Sequence, residues 1–190
     1  MGLKETELEK RILNATVDVF RAKGIKFTMD DIAAQISISK KTIYKVFEDK
    51  EALLYALVDF GFDRIKESEN AILESEELST KEKLRAIMAV LPDSYMDLDF
   101  RQLYVVKEKM PCVYEKMEQR LESGWESTIL LLEKGMAEGV IRNISIPIFK
   151  AAYEATIEHF LQRDILERNS IPYNRALGEL VDILLDGILA

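Results

Sequence analysis

FTMDDIAAQISISKKTIYKVF, residues 27–47, is the stretch on which the fold turns. It reads as two short helices joined by a tight turn. Thr28 has the side chain of an N-cap, and Asp31 three residues later completes the signature. Two acids in the first turn suit the positive end of a helix dipole. Ile32, Ala33 and Ile36 give that helix its buried side, and it ends near Ile36. Ser37 and Ile38 make the connection, and Ser39 caps the next helix. A further helix spans about 7–23 and stops at Gly24. Leu8, Ile12, Ala15 and Val19 share one of its faces. Three helices before residue 48, the last two joined by so short a turn, have helix-turn-helix spacing.

A helical wheel at about 100° per residue divides the third helix. Ile43, Val46 and Phe47 fall on one arc, and Lys41, Tyr44 and Lys45 on the opposite one. Lys40 and Thr42 lie on the flanks, and no carboxylate occurs before Glu48. Solvated helix faces usually mix both signs. A face of cations and a phenol on the second helix of a helix-turn-helix suits phosphate oxygens and a major groove.

The rest of the composition sharpens that reading. The 190 residues are 48% hydrophobic and 32% charged, with net charge −8. Residues 1–50 hold ten Lys/Arg and eight Asp/Glu, or +2, and residues 51–190 hold sixteen and twenty-six, or −10. An acidic body with a mildly basic head argues against binding nucleic acid over the whole surface and allows it at one small part. The single cysteine, Cys112, excludes an internal disulfide and suits the cytoplasm. No apolar run approaches the ~20 residues of a membrane span.

Residues 28–53, TMDDIAAQISISKKTIYKVFEDKEAL, resemble the DNA-binding head of the TetR family of transcriptional regulators. The carrying features are a Thr opening helix two, an Ile-Ala pair, then T-I-Y-x-x-F, then K-E-A-L. The resemblance implies a homodimeric regulator, usually a repressor released by a small ligand and bound to a palindromic operator in double-stranded DNA. It implies that Thr28, Tyr44 and Lys50 meet phosphates. It also implies that Ser39, Lys40, Lys41, Thr42 and Lys45 lie in or beside the major groove. Two residues depart from the family pattern. Ser37 stands where Gly is usual, which costs roughly 1–2 kcal/mol if the turn is left-handed. Val46 stands where an aromatic residue or His is common.

The remainder reads as helix throughout, so the fold class is all-α: a helix-turn-helix head over 5–65, joined by a long helix to a helical ligand-binding and dimerisation domain over 66–190. Asp49 caps the long helix. Ser79 with Glu82 is a capping box for a helix ending before Pro92. Further helices are expected over about 100–110, 111–139, 145–168 and 172–190. Leu177, Leu180, Val181, Leu184 and Ile188 share one face of the last, and Ala152, Ala155 and His159 one side of its predecessor. These predict an isologous four-helix interface, with packing inside one chain as the alternative. Met88, Tyr95, Tyr104, Met110, Trp125 and Tyr153 are candidates to line a pocket for a small apolar or amphipathic effector.

Enzyme chemistry has little material here. One His and one Cys are thin for a catalytic pair or a metal site, and no nucleotide or zinc motif occurs. Cys112 follows Pro111 at a helix start, where a thiol's pKa is lowered, yet a structural role weighs more. No cofactor or metal is expected. A protein-interaction scaffold or a small helical enzyme without a DNA role is the alternative function.

Overall fold

The computed structural model describes residues 2–91 and 102–188, with side chains from 7–91 and 105–188. Among these residues the regular structure is helical, without a strand ladder. Eleven α-helices are described: α1 Gly2–Lys23, α2 Met29–Gln35, α3 Lys40–Tyr44, α4 Lys50–Glu74, α5 Thr80–Met88, α6 Gln102–Lys109, α7 Pro111–Glu122, α8 Glu126–Ala137, α9 Ile146–Gln162, α10 Ile165–Arg168 and α11 Tyr173–Asp186. They fall into two compact units, Met1–Asp63 with Asp93–Glu118, and Arg64–Pro92 with Gln119–Ala190. Both α4 and α7 contribute residues to each unit.

The first unit is built on α1, whose Ile12, Leu13, Ala15, Val17, Val19 and Phe20 are buried. The buried Thr16 hydroxyl is satisfied by donating to the Ile12 carbonyl at 2.7 Å. Gly24, at φ 59°, ends the helix and turns the chain through a 3₁₀ segment, Gly24–Lys26. Phe27, 1% exposed, meets the Phe20 ring edge-on at 6.3 Å. The Thr28–Asp31 capping box then starts α2, the Thr28 amide donating to Asp31 Oδ2 at 2.8 Å. Met29, Ile32 and Ala33 bury its inner side. α2 ends in paired bonds, Ser37 N–H to Ala34 O and Ile38 N–H to Ala33 O, with Ser37 left-handed at φ 55°. Glycine is usual at this position in the family pattern, and here serine adopts the left-handed conformation without glycine's freedom.

Ser39 Oγ accepts from the Thr42 amide at 3.1 Å and starts α3. Ile43 is fully buried and Phe47 nearly so, while Val46 is half-buried. Asp49 Oδ1 accepts from the Ala52 amide at 2.8 Å and opens α4, where Leu53 and Leu54 complete the head's core. Also in this unit, α6 packs against the 3₁₀ turn, and Val106, Val113 and Tyr114 are buried.

In the second unit α5 packs on α8, and α11 on α5 and α9. Leu84, Ile87, Leu131, Leu132, Ile157, Leu161, Val181 and Leu185 form the centre. The Ser79–Glu82 capping box opens α5 as its spacing predicts. Arg85 ties α5 to α11 through Asp182 and, at 2.9 Å, Asp186.

Three helix boundaries differ from the sequence reading. α1 begins at Gly2 rather than near Glu7. The helix expected over 111–139 is broken at 123–125, where Gly124 takes φ 81°. Lys66 donates to the Gly124 carbonyl, and a Cβ on Gly124 would meet Lys66 Cε at 2.9 Å. The helix expected to reach Arg168 ends at Gln162, because Arg163 is extended at φ −124° and ψ 159°. α10 begins afresh with Asp164 accepting from Arg168 at 2.6 Å. Neither glycine nor proline marks that second break.

Two substitutions test this account. Ser37→Gly relieves about 1–2 kcal/mol of left-handed strain and loses about 0.5–1 kcal/mol to unfolded-chain entropy, so the urea midpoint rises slightly. Gly124→Ala both strains the backbone and displaces Lys66, so the same measurement shows a loss of at least about 1–2 kcal/mol.

Candidate nucleic-acid interface

The outward side of α3 follows from its length. Five residues make little more than one turn, so only anchoring by Ile43 and Phe47 fixes the helix's rotation. That rotation leaves Lys41, Tyr44 and Lys45 exposed, as the wheel predicts, with Tyr44 44% exposed. Thr42 is half-buried on the flank, and its Oγ1 shares a 2.8 Å hydrogen bond with Ser39 Oγ. One of those two hydroxyl protons stays available to an outside acceptor.

The remaining predicted contacts are already engaged within the chain. Thr28 is exposed, but its hydroxyl donates to Asp31 Oδ2 at 2.9 Å and so spends its proton on the capping box. Lys40 Nζ lies 2.7 Å from Asp30 Oδ2, an ion pair that ties the start of α3 to the first turn of α2. Lys50 departs furthest from the role the resemblance implies. Its ammonium turns inward, donating to the carbonyls of Ile25 at 2.5 Å and Phe27 at 2.6 Å, and sits 4.0 Å above the Phe27 ring centroid. Two of its three donors therefore serve the turn between α1 and α2. Partial burial lowers its pKa, with the Lys109 charge adding to the effect. Sequence position alone does not reveal this, because the carbonyls are 23 and 25 residues away.

Asp30, Asp31 and Lys23 belong to the site although sequence reasoning placed them only as helix-capping or terminal residues. Lys23 Nζ donates to Asp31 Oδ1 at 2.6 Å. That bond and the capping bonds from Thr28 hold the Asp31 carboxyl at about 2 against its ordinary 3.8. Both acids of α2's first turn thus pair with lysines from neighbouring helices.

The pocket and interface candidates lie elsewhere. Met88 is buried, Trp125 and Tyr153 meet edge-to-face at 5.4 Å, and the Tyr153 hydroxyl donates to the Met88 carbonyl at 2.8 Å. These three come together in the second unit, where burial holds the Tyr153 phenol well above its ordinary pKa. Met110 is half-buried in the first unit. Tyr95 lies outside the described residues, as does the side chain of Tyr104.

The face of α11 predicted for the interface packs largely within the chain. Leu177, Leu180, Val181 and Ile188 are buried within the chain, and Leu184 is half-buried, because α11 uses that face against α5 and α9. Ala152, Ala155 and His159 of α9 are exposed, and Ile148, 71% exposed, continues their stripe. Cys112 is corrected. Its thiol donates to Glu51 Oε1 at 2.6 Å, and that bond raises its pKa rather than lowering it.

Lys50→Met keeps the stem and removes the donors. It should lower head stability by about 1–3 kcal/mol in chemical denaturation, the cost of leaving buried carbonyls unpaired. Asp31 stabilises the head above the ordinary carboxyl range, and that contribution is lost as pH falls from about 3.8 towards 2. The stability gap between the wild type and Asp31→Asn, measured at pH 6, should therefore close by pH 2.

The model of bacterial regulatory proteins of the tetR family matches residues 12–57, which contain α2 and α3. The uncharacterized HTH-type transcriptional regulator YvaF of Bacillus subtilis is 28% identical over 183 residues, 96% of each chain. A TetR transcription regulator of Haloarcula marismortui has the same fold at a TM-score of 0.76 and 16% identity, over 97% of this chain and 100% of that one. FadR of B. subtilis, crystallised with stearoyl-CoA, matches at a TM-score of 0.64 and 20% identity, over 94% of this chain and 98% of that one. With a helix-turn-helix whose second helix turns lysines and a phenol outward, this chain carries a DNA-binding head of the tetR type over residues 12–57 and is a transcriptional regulator rather than an enzyme.

Proposed function

We propose that the chain is a ligand-released repressor that binds a palindromic operator as a homodimer in the cytoplasm. Residues 5–65 act as its DNA-binding domain, and 66–190 as its ligand-binding and dimerisation domain. The observation that carries the DNA role is the outer face of α3, where Lys41, Tyr44 and Lys45 are exposed while Ile43 and Phe47 are buried. Lys41, Lys45 and Tyr44 contact phosphates or base edges in the major groove, and Ser39 or Thr42 supplies one hydroxyl. Lys40 joins them only by leaving Asp30. Thr28 and Lys50 serve the head's internal structure first.

The dimer reading rests on α9. Ile148, Ala152, Ala155 and His159 recur at helical spacing on its exposed side. Small residues admit a second helix closely, and a solvent-facing Ile at one end adds apolar area that a partner would cover. The effector reading rests on Met88, Trp125 and Tyr153, an apolar and aromatic group with one phenol. Stearoyl-CoA, bound by the structurally similar FadR, is amphipathic in the same sense.

Selection of bound duplexes from a random pool should return inverted repeats. Lys41 and Lys45 from two protomers give four phosphate contacts, so log K against log salt should fall with a slope of about −3.6. Lys41→Ala or Lys45→Ala should flatten the slope by about 1.8 per dimer and leave the melting temperature unchanged. A slope near zero on a selected duplex would refute the DNA role of this face. Ala155→Glu should give monomers in sedimentation and lose the linked second half-site. A ~100-fold release by effector requires about 2.7 kcal/mol of coupling, and operator must weaken effector binding by the same factor.

A further inference from the structure

The ion pair between Lys40 and Asp30 sits within the proposed DNA-reading head. Lys40 is the first residue of α3 and Asp30 the second of α2. Their side chains are 44% and 67% exposed and meet at 2.7 Å across the turn. The Lys40 ammonium donates to the Asp30 carboxylate, a bond that raises the Lys40 pKa and holds the ammonium in place.

An acid in the first turn of α2 has a local helix-dipole reason to exist. Asp31, however, already supplies the carboxylate that caps α2 and pairs with Lys23. Asp30 takes no part in the capping box and spends its carboxylate on a lysine of the recognition helix. Among the described residues, Asp30 is the acid whose ion-pair partner belongs to α3.

We infer that Asp30 is an affinity-setting residue, a carboxylate that competes with DNA phosphate for the Lys40 ammonium. In the free protein Lys40 folds back onto α2. A phosphate can recruit it only by displacing Asp30, which is then left unpaired beside the anionic backbone. Each protomer therefore binds DNA more weakly than its lysine count implies. The inference rests on the DNA-binding reading of α3.

The sign of the effect separates this role from a merely structural one. If Asp30 only braced the head, removing its charge would loosen α2 against α3 and weaken binding. As a competitor, it does the opposite. Exposed ion pairs of this kind shift an equilibrium by about threefold each, so Asp30→Asn should tighten binding of a dimer to duplex DNA about tenfold.

The effect must also pass through Lys40, which a double-mutant cycle measures. Fluorescence anisotropy on one selected duplex, at one low salt concentration, should compare the wild type, Asp30→Asn, Lys40→Ala and the double variant. The tightening from Asp30→Asn should fall below about threefold when Lys40 is already alanine. Asp30→Ser repeats the test with a different neutral side chain, and thermal melting verifies that each head is folded. Equal tightening in both backgrounds overturns the inference, because the acid then acts by general repulsion. So does unchanged or weaker binding in Asp30→Asn. If the wild type selects and binds no duplex at all, the DNA reading itself fails and takes this inference with it.

Discussion

Burial of Ile43 and Phe47 is the constraint on which the reading surface depends. An isolated helix of five residues is far below the length that holds itself in water. α3 exists because these two side chains are buried in the head's core, where α3 packs on α2, and because the Ser39 side chain accepts from the Thr42 amide. Fixing two residues four positions apart sets the rotation of the whole turn. What faces outward is then determined, and it consists of Lys41, Tyr44 and Lys45. The link from core packing to function is short here, since the same hydrophobic contacts decide stability and aim.

Three lysines of the head are spent internally. Lys23 serves Asp31, Lys40 serves Asp30, and Lys50 serves two backbone carbonyls. These uses differ in strength. Hydrogen bonds from a charged donor contribute about 1.5–3 kcal/mol, and Lys50 makes two at a partly buried turn. The pairs at the surface contribute less and exchange with solvent or another anion readily. A residue type suited to phosphate is therefore not a phosphate contact until its other partners are known. Lys41 in α3 and Lys45 at its C-cap are without an ion pair among the described residues.

The second unit illustrates how one amphipathic helix supports two readings. α11 has a wide apolar arc, and a strip of leucines looks the same whether a neighbour from the same chain or from a partner covers it. The structure uses Leu177, Leu180 and Val181 inside the unit, and leaves Ile183 72% exposed. The exposed stripe on α9 is smaller in side-chain volume and built around alanines. That is the kind of surface on which two helices approach closely, although its apolar area is modest.

What the sequence by itself determined is whatever depends on neighbours three or four residues away. The capping boxes at Thr28 and Ser79, the caps at Ser39 and Asp49, the order of helices and the two faces of α3 all belong here. Tertiary structure decided what depends on distant partners. Lys50 turned to carbonyls more than twenty residues back, Lys40 found Asp30 across the turn, and Lys66 filled the space that a side chain on Gly124 would need. The break at Arg163 and the inward use of α11's leucines are of the same kind. Local capping energies act within one helical turn and are written in adjacent letters. The direction of a long flexible side chain, and the neighbour that covers an apolar face, are fixed only when helices remote in sequence pack together.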